Sequence, residues 1–260
     1  MLNGIFSGLA DRLPSLLLGL PVILFSLSFH EMAHGYAALR LGDPTARNLG
    51  RLTLNPLKHI HPIGFLCMVL FHFGWANPVP INTRNFKNPR RDMALSSAAG
   101  PLSNVVLALV FAVLLRLSLW GTSAFFLEDV LSVLSFANGS VSSYSVGRAF
   151  PIIAILIYML YLGVIINFSY ALFNLIPIPP LDGSRIFYVF LPPKWYFAVM
   201  KYEQIIMIVM LLLLWNGWLL GPLQWLVGLL EGLTFSALGM RSGEPAGILS
   251  VIQYFIYSSL

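Results

Sequence analysis

His30, Glu31 and His34 stand together inside a long apolar run, in the order HEMAH. Ionisable groups in such a segment are costly to keep there and mark function by default. In a helix, residues four apart share a face, so the two imidazoles can grip one metal ion through ring nitrogens. Glu31 is one position off that pair. Its carboxylate can flank the ion without ligating it, which suits a general base acting on a water that the metal activates. The bland alternative is a His–Glu cluster that only packs helices. A carboxylate buried between two imidazoles without a cation is costly, which weighs against it.

Two protein ligands do not complete a catalytic zinc site; three plus a water is the usual arrangement. Asp182 is the natural third. It follows the rigid turn Pro177-Ile178-Pro179-Pro180-Leu181 and precedes Gly183, and it is the only acidic residue between Asp129 and Glu203. Its alternative role is to cap a helix that opens near Ser184. Glu203 is a weaker ligand candidate, placed as a charge at the start of a span. The expected cofactor is one Zn2+ per chain.

The elements that hold these residues belong in a membrane. Of the 260 residues 58% are hydrophobic and only 10% are charged, with a mean hydropathy of +0.81. Soluble domains are about a quarter charged. Too little polar surface is left to cover a water-soluble globule, which excludes an ordinary cytosolic enzyme, a disordered tail and a disulfide scaffold. Cys67 is the single cysteine, so neither an internal disulfide nor a Cys-rich metal site is available. Asp11 and Arg12 precede an apolar segment without a small-residue cleavage site, so no cleaved signal peptide is expected.

Apolar runs predict spans over 13–41, 94–119, 151–175 and 205–220. The run at 62–73 is too short to cross a bilayer and should re-enter or pack on the first span. Prolines extend 74–82, giving a strand-like segment that needs protein or a cavity around it. The fold class expected is thus an all-α polytopic membrane protein, a helical bundle with a re-entrant or strand-like piece near 62–82. It forms one membrane-embedded domain over 1–260, with a core at about 13–220 and a tail, 222–260, of open topology.

The net charge of +5 reads as topology and not as a nucleic-acid footprint, because the basic residues sit beside apolar runs. Arg40, Arg47, Arg51 and Lys58 mark one loop, Arg84, Lys87, Arg90 and Arg91 a second, and Arg185, Lys194 and Lys201 a third. Loop 120–150 carries only Arg148 against Glu128 and Asp129. The positive-inside rule puts the first three loops in the cytoplasm and the fourth outside. His30–His34 and Asp182 then meet at a similar depth, toward the cytoplasmic side. His59, His61 and His72 read as structural, and tryptophans such as Trp75, Trp195 and Trp215 as interfacial belts.

HExxH in a first span, with Asn174-Leu-Ile-Pro177-Ile-Pro179-Pro-Leu181-Asp182-Gly183, resembles the site-2 protease family of intramembrane zinc metallopeptidases. Gly42-Asp43-Pro44-Thr45-Ala46-Arg47, Trp75-Ala76-Asn77-Pro78-Val79-Pro80 and Ala99-Gly100-Pro101-Leu102-Ser103-Asn104 are similar to short bacterial-type members. The likeness covers roughly 15–220 and leaves no room for the PDZ or CBS domains that members often carry. It implies that His30, His34 and Asp182 hold zinc and that Glu31 activates the water. It implies that Asn174 binds the substrate carbonyl or the oxyanion, with Asn104 as a second candidate. It also implies that the segment with Asn77 and Val79 is a membrane-dipping strand edge, able to pair with unwound substrate or else to act as a plug. The implied activity is hydrolysis of peptide bonds in or near transmembrane segments of membrane proteins, in a bacterial-type cell membrane. The partners are then a transmembrane substrate and the bilayer, with no nucleic acid. The rival reading is a metal-ion transporter or sensor that uses the same ligands without hydrolysis.

Overall fold

The computed structural model describes residues 13–71, 74–125, 150–192, 194, 199 and 201–240. Its elements are helices. We number them α1 (Leu13–Arg40), α2 (Thr45–Asn48), α3 (Pro62–Phe71), α4 (Pro89–Phe125), α5 (Phe150–Asn174), α6 (Asp182–Phe187), α7 (Glu203–Trp215) and α8 (Leu220–Ala237). Among the described residues, three stretches are long and apolar enough to cross a membrane: Leu17–Arg40, Pro89–Gly121 and Ile152–Asn174. On α4, Leu102, Val106, Leu109, Val113, Leu117 and Trp120 are all exposed. They form a stripe along the helix that water would penalise and lipid would not. The chain is an all-α polytopic membrane protein.

The expected span at 205–220 differs. There α7 has 13 residues, about 20 Å of helix against a bilayer core of about 30 Å. Asn216 caps it and Gly217, at φ +78°, turns the chain before α8 begins. The short run at 62–73 does form a short helix, α3, of 10 residues. The strand-like segment that follows makes no ladder: among the described residues Ile60 and Ala76 form an isolated antiparallel bridge. The loop with Glu128, Asp129 and Arg148, as well as His72, Trp195 and the tail beyond Met240, lies outside the described residues.

The chain divides into two compact units. Among the described residues, one comprises those up to Ile23, those within Ala108–Ile165 and those from Leu230 to Met240. In it a Cβ on Gly163 would stand 2.6 Å from the Phe111 ring, so the helices touch closely there. Tyr161 stacks on Phe235, and Arg116 Nε donates to the Leu238 carbonyl at 3.1 Å. The other unit holds Leu24–Leu107 and Ile166–Leu229, and with them every residue of the candidate site.

Within that second unit, α1 stops at a glycine cap. Gly42 takes φ +111°, and the Asp43 amide donates back to the Ala38 carbonyl at 2.9 Å. Asp43 is fully buried and accepts from the amides of Thr45 (3.1 Å) and Asn82 (2.7 Å), and from Asn85 Nδ2 (2.7 Å). Burial alone would raise this carboxyl. The hydrogen bonds from Thr45, Asn85 and Asn82 outweigh it and hold the group below the usual carboxylate range. One acid thus ties the end of α1 to the extended segment that passes the site. Arg51, read from sequence only as a topology charge, ties the same segment further back, with Nη2 donating to the Asn77 carbonyl at 2.7 Å.

Candidate metal centre

Three lone-pair atoms converge in the second unit. His30 Nε2 and His34 Nε2 lie 3.0 Å apart, and each is 3.1 Å from Asp182 Oδ2. Ligands about 2.05 Å from a tetrahedral zinc are about 3.4 Å from one another, so this triangle is close to that of a metal face. Both His residues are buried.

The other ring nitrogens fix the chemistry of the triangle. His30 Nδ1 hydrogen-bonds to Asn104 Oδ1, and His34 Nδ1 to the Ser96 carbonyl at 2.8 Å. A carbonyl oxygen only accepts, so each Nδ1 carries the hydrogen and each Nε2 is left with its lone pair facing inward. Two bare nitrogens and a carboxylate oxygen pointed at one another demand positive charge between them. A proton can serve one pair; a divalent cation serves all three. The donor set, His2Asp with its outer nitrogens held by carbonyl oxygens, fits zinc.

Helix α4 supplies the backing. Ser96, Gly100 and Asn104 recur every four residues and so share one face. Ser96 also donates through Oγ to the His34 carbonyl at 3.0 Å. A Cβ on Gly100 would lie 2.3 Å from His34 Nε2 and 2.7 Å from His30 Cε1, so only a glycine lets α4 lie against both rings. Asn104 is in turn oriented from α5. Its Nδ2 donates to Asn167 Oδ1 at 2.7 Å, and Asn167 Nδ2 donates to Ser26 Oγ at 2.9 Å. All three of Ser26, Asn104 and Asn167 are fully buried.

Glu31 is beside the triangle. Its Oε2 accepts the Val79 amide at 2.9 Å, which leaves Oε1 for other work. Val79 can come this near because Gly35 leaves room for it: a Cβ there would meet Val79 Cγ1 at 3.0 Å. His30, Glu31, His34 and Asp182 line a cavity of ≈ 270 Å³, with Ser97, Asn174 and Val79 also in its wall. Asn174 ends α5 and donates one Nδ2 hydrogen to the Tyr170 carbonyl at 3.0 Å.

Two expectations change here. Asn104, a candidate for touching substrate, has both ends of its amide engaged, by His30 and by Asn167, and acts behind the metal face. The expected strand edge has few donors to offer. Asn77 gives its amide to the His59 carbonyl, Val79 gives its own to Glu31, and Pro78 and Pro80 have none. Of the histidines read as structural, His59 Nε2 meets the Thr53 carbonyl at 2.8 Å, and His61 Nδ1 accepts the Gly64 amide. Sequence reading missed Ser26, Ser96, Ser97 and Asn167. Asn167 did carry a signal, as an amide in the middle of an apolar span.

Comparison with known proteins agrees with this geometry. The profile of peptidase family M50 matches residues 18–216. The Bacillus subtilis (strain 168) protein named "Putative zinc metalloprotease YwhC" is 37% identical over 172 residues, 66% of this chain and 68% of its own length. "Putative zinc metalloprotease Rip2" of Mycobacterium tuberculosis (strain H37Rv) is 28% identical over 216 residues, 79% of this chain and 71% of its own. Its namesake in Mycolicibacterium smegmatis is 25% identical over 210 residues, covering 78% and 70%. No solved structure matches the chain. With a family profile spanning most of its length, the chain belongs to peptidase family M50, the site-2 protease family.

Proposed function

We propose that this chain is an intramembrane zinc metalloprotease, which hydrolyses peptide bonds in or beside transmembrane segments of other membrane proteins. The observation that carries the reading is the triangle of His30, His34 and Asp182 with Glu31 beside it, in a cavity bounded by membrane helices. One zinc ion held by these three ligands supplies an activated water and a Lewis acid for the scissile carbonyl. Glu31 takes the proton from the attacking water at Oε1, while the Val79 amide keeps Oε2 in place. Glu31 then delivers that proton to the nitrogen that leaves, so the C–N bond breaks to a free carboxylate and a free amine. Asn174, with a second Nδ2 hydrogen beyond the one given to Tyr170, donates to the oxygen on which negative charge develops.

The substrate helix must unwind before it enters, since a helical backbone keeps its carbonyls in its own hydrogen bonds. We place the protein in a bacterial-type cell membrane, with the site toward the cytoplasm, on the strength of the basic loops that flank the ligands. The decisive experiment compares wild type and Glu31→Gln, purified in detergent, on candidate single-span substrates. We expect cleavage to fall by roughly 10²–10⁴-fold, the usual contribution of a general base, with zinc retained. Equal cleavage by both proteins rejects the mechanism.

A further inference from the structure

Ser97 is 1% exposed, and its Oγ has no hydrogen-bond partner among the described residues. That is unusual for a serine in a helix of this chain. Ser28, Ser103 and Ser118 each return their hydroxyl to a carbonyl of their own helix, at 2.7–2.8 Å. Ser96, the neighbour, spends its hydroxyl on the His34 carbonyl. A buried hydroxyl with no partner is costly, and a group that arrives from outside the chain would relieve that cost. Ser97 lines the same cavity as Glu31, Asn174 and the three ligands. Pro101 adds to this, because it has no N–H to give to the carbonyl four residues before it, that of Ser97. The helix ladder is therefore interrupted at the level of the site, and Ser97 adds an unpartnered donor to the residues that line the cavity.

We infer that Ser97 is a further catalytic residue, whose hydroxyl donates to the oxygen of the scissile carbonyl as negative charge develops on it. The inference rests on the peptidase reading above. It gives that oxygen a donor on α4, opposite in sequence to Asn174 on α5. No bond is made or broken at Ser97; its hydrogen bond shortens as the carbonyl carbon becomes tetrahedral.

The test uses the full chain in detergent, loaded with zinc, and two probes. One is a tetraleucine peptide with a phosphinic group in place of its central amide, a mimic of the tetrahedral state. The other is the parent tetraleucine amide. Ser97→Ala should weaken the phosphinic peptide about tenfold or more and the amide less than about threefold, since only the former carries the developed charge. Zinc stoichiometry should stay at the wild-type value, and Ser103→Ala should change neither affinity. Equal weakening of both probes, no weakening, or loss of zinc each overturns the assignment. A wild type that fails to bind the phosphinic peptide at all overturns the peptidase reading with it. A wild type that binds it with the expected Ser97 dependence, yet cuts no single-span protein, removes the intramembrane substrate and leaves Ser97 assigned.

Discussion

His30 gives its outer ring hydrogen to Asn104, a residue 74 positions away on another helix. Asn104 is itself locked by Asn167, and Asn167 by Ser26 on the helix that carries His30. The chain of amides therefore closes on itself and sets the imidazole's tautomer from outside. Partners of this kind are worth about 10–100-fold in metal affinity. Asn104→Ala should weaken zinc binding by about that factor, measured by competition with a chelator of known affinity. Asn167→Ala should act in the same direction and by less, because Asn104 keeps its bond to His30.

Gly100 gives a steric prediction. An alanine there would put its methyl 2.3 Å from His34 Nε2, and the rings cannot both move without leaving Asp182. Gly100→Ala should abolish stoichiometric zinc binding and lower stability by about 1–3 kcal/mol, the usual cost of overpacking. A Cβ on Gly121 in the same helix would meet nothing within 4 Å among the described residues. Gly121→Ala should therefore keep its zinc, as elemental analysis of the two proteins would show.

The reading of Asp182 as a ligand and not as a helix cap can be checked the same way. Asp182→Ala should lose zinc, while Asp182→Glu should retain some with altered affinity. Full stoichiometry in the alanine variant would remove Asp182 from the site.

Asp43 gives the pH dependence. Its folded value is depressed below the ordinary carboxylate value of about 3.9, so its stabilisation is complete above that pH. The contribution fades as pH falls through the lower, folded value. Asp43→Asn should destabilise the protein by roughly 1–3 kcal/mol near pH 7, because an amide hydrogen would face the Asn82 or Thr45 donors. The gap in Tm between wild type and variant should narrow below about pH 4. A gap that stays constant down to pH 3 would show that the charge on Asp43 does not matter.

How much of this was legible beforehand depended on how local each relationship is. HEMAH could be read because four residues of helix fix the geometry of its imidazoles. Asp182 could be read because few acids were available and its turn is rigid. The brevity of α3 followed from counting residues against bilayer thickness. The Asn104–Asn167–Ser26 chain could not be read, since it depends on how three helices are rotated about their axes, which periodicity does not report. The fate of 74–82 was missed for a different reason. Its prolines do make it extended, but they also leave it short of donors; Glu31 and Asp43 take the Val79 and Asn82 amides, and Arg51 donates to the Asn77 carbonyl. The break in 205–220 came down to one residue, Gly217, within a run whose hydropathy alone looked continuous.

The ligand triangle also has a meaning in time. His30 and His34 leave the ribosome early, and Asp182 follows 152 residues after His30. Until that residue has been synthesised and its helix inserted, the chain holds two thirds of a metal face and no hydrolytic centre. On the peptidase reading proposed above, a truncated or half-inserted chain would be inert, and the membrane would be spared a protease that has not finished folding.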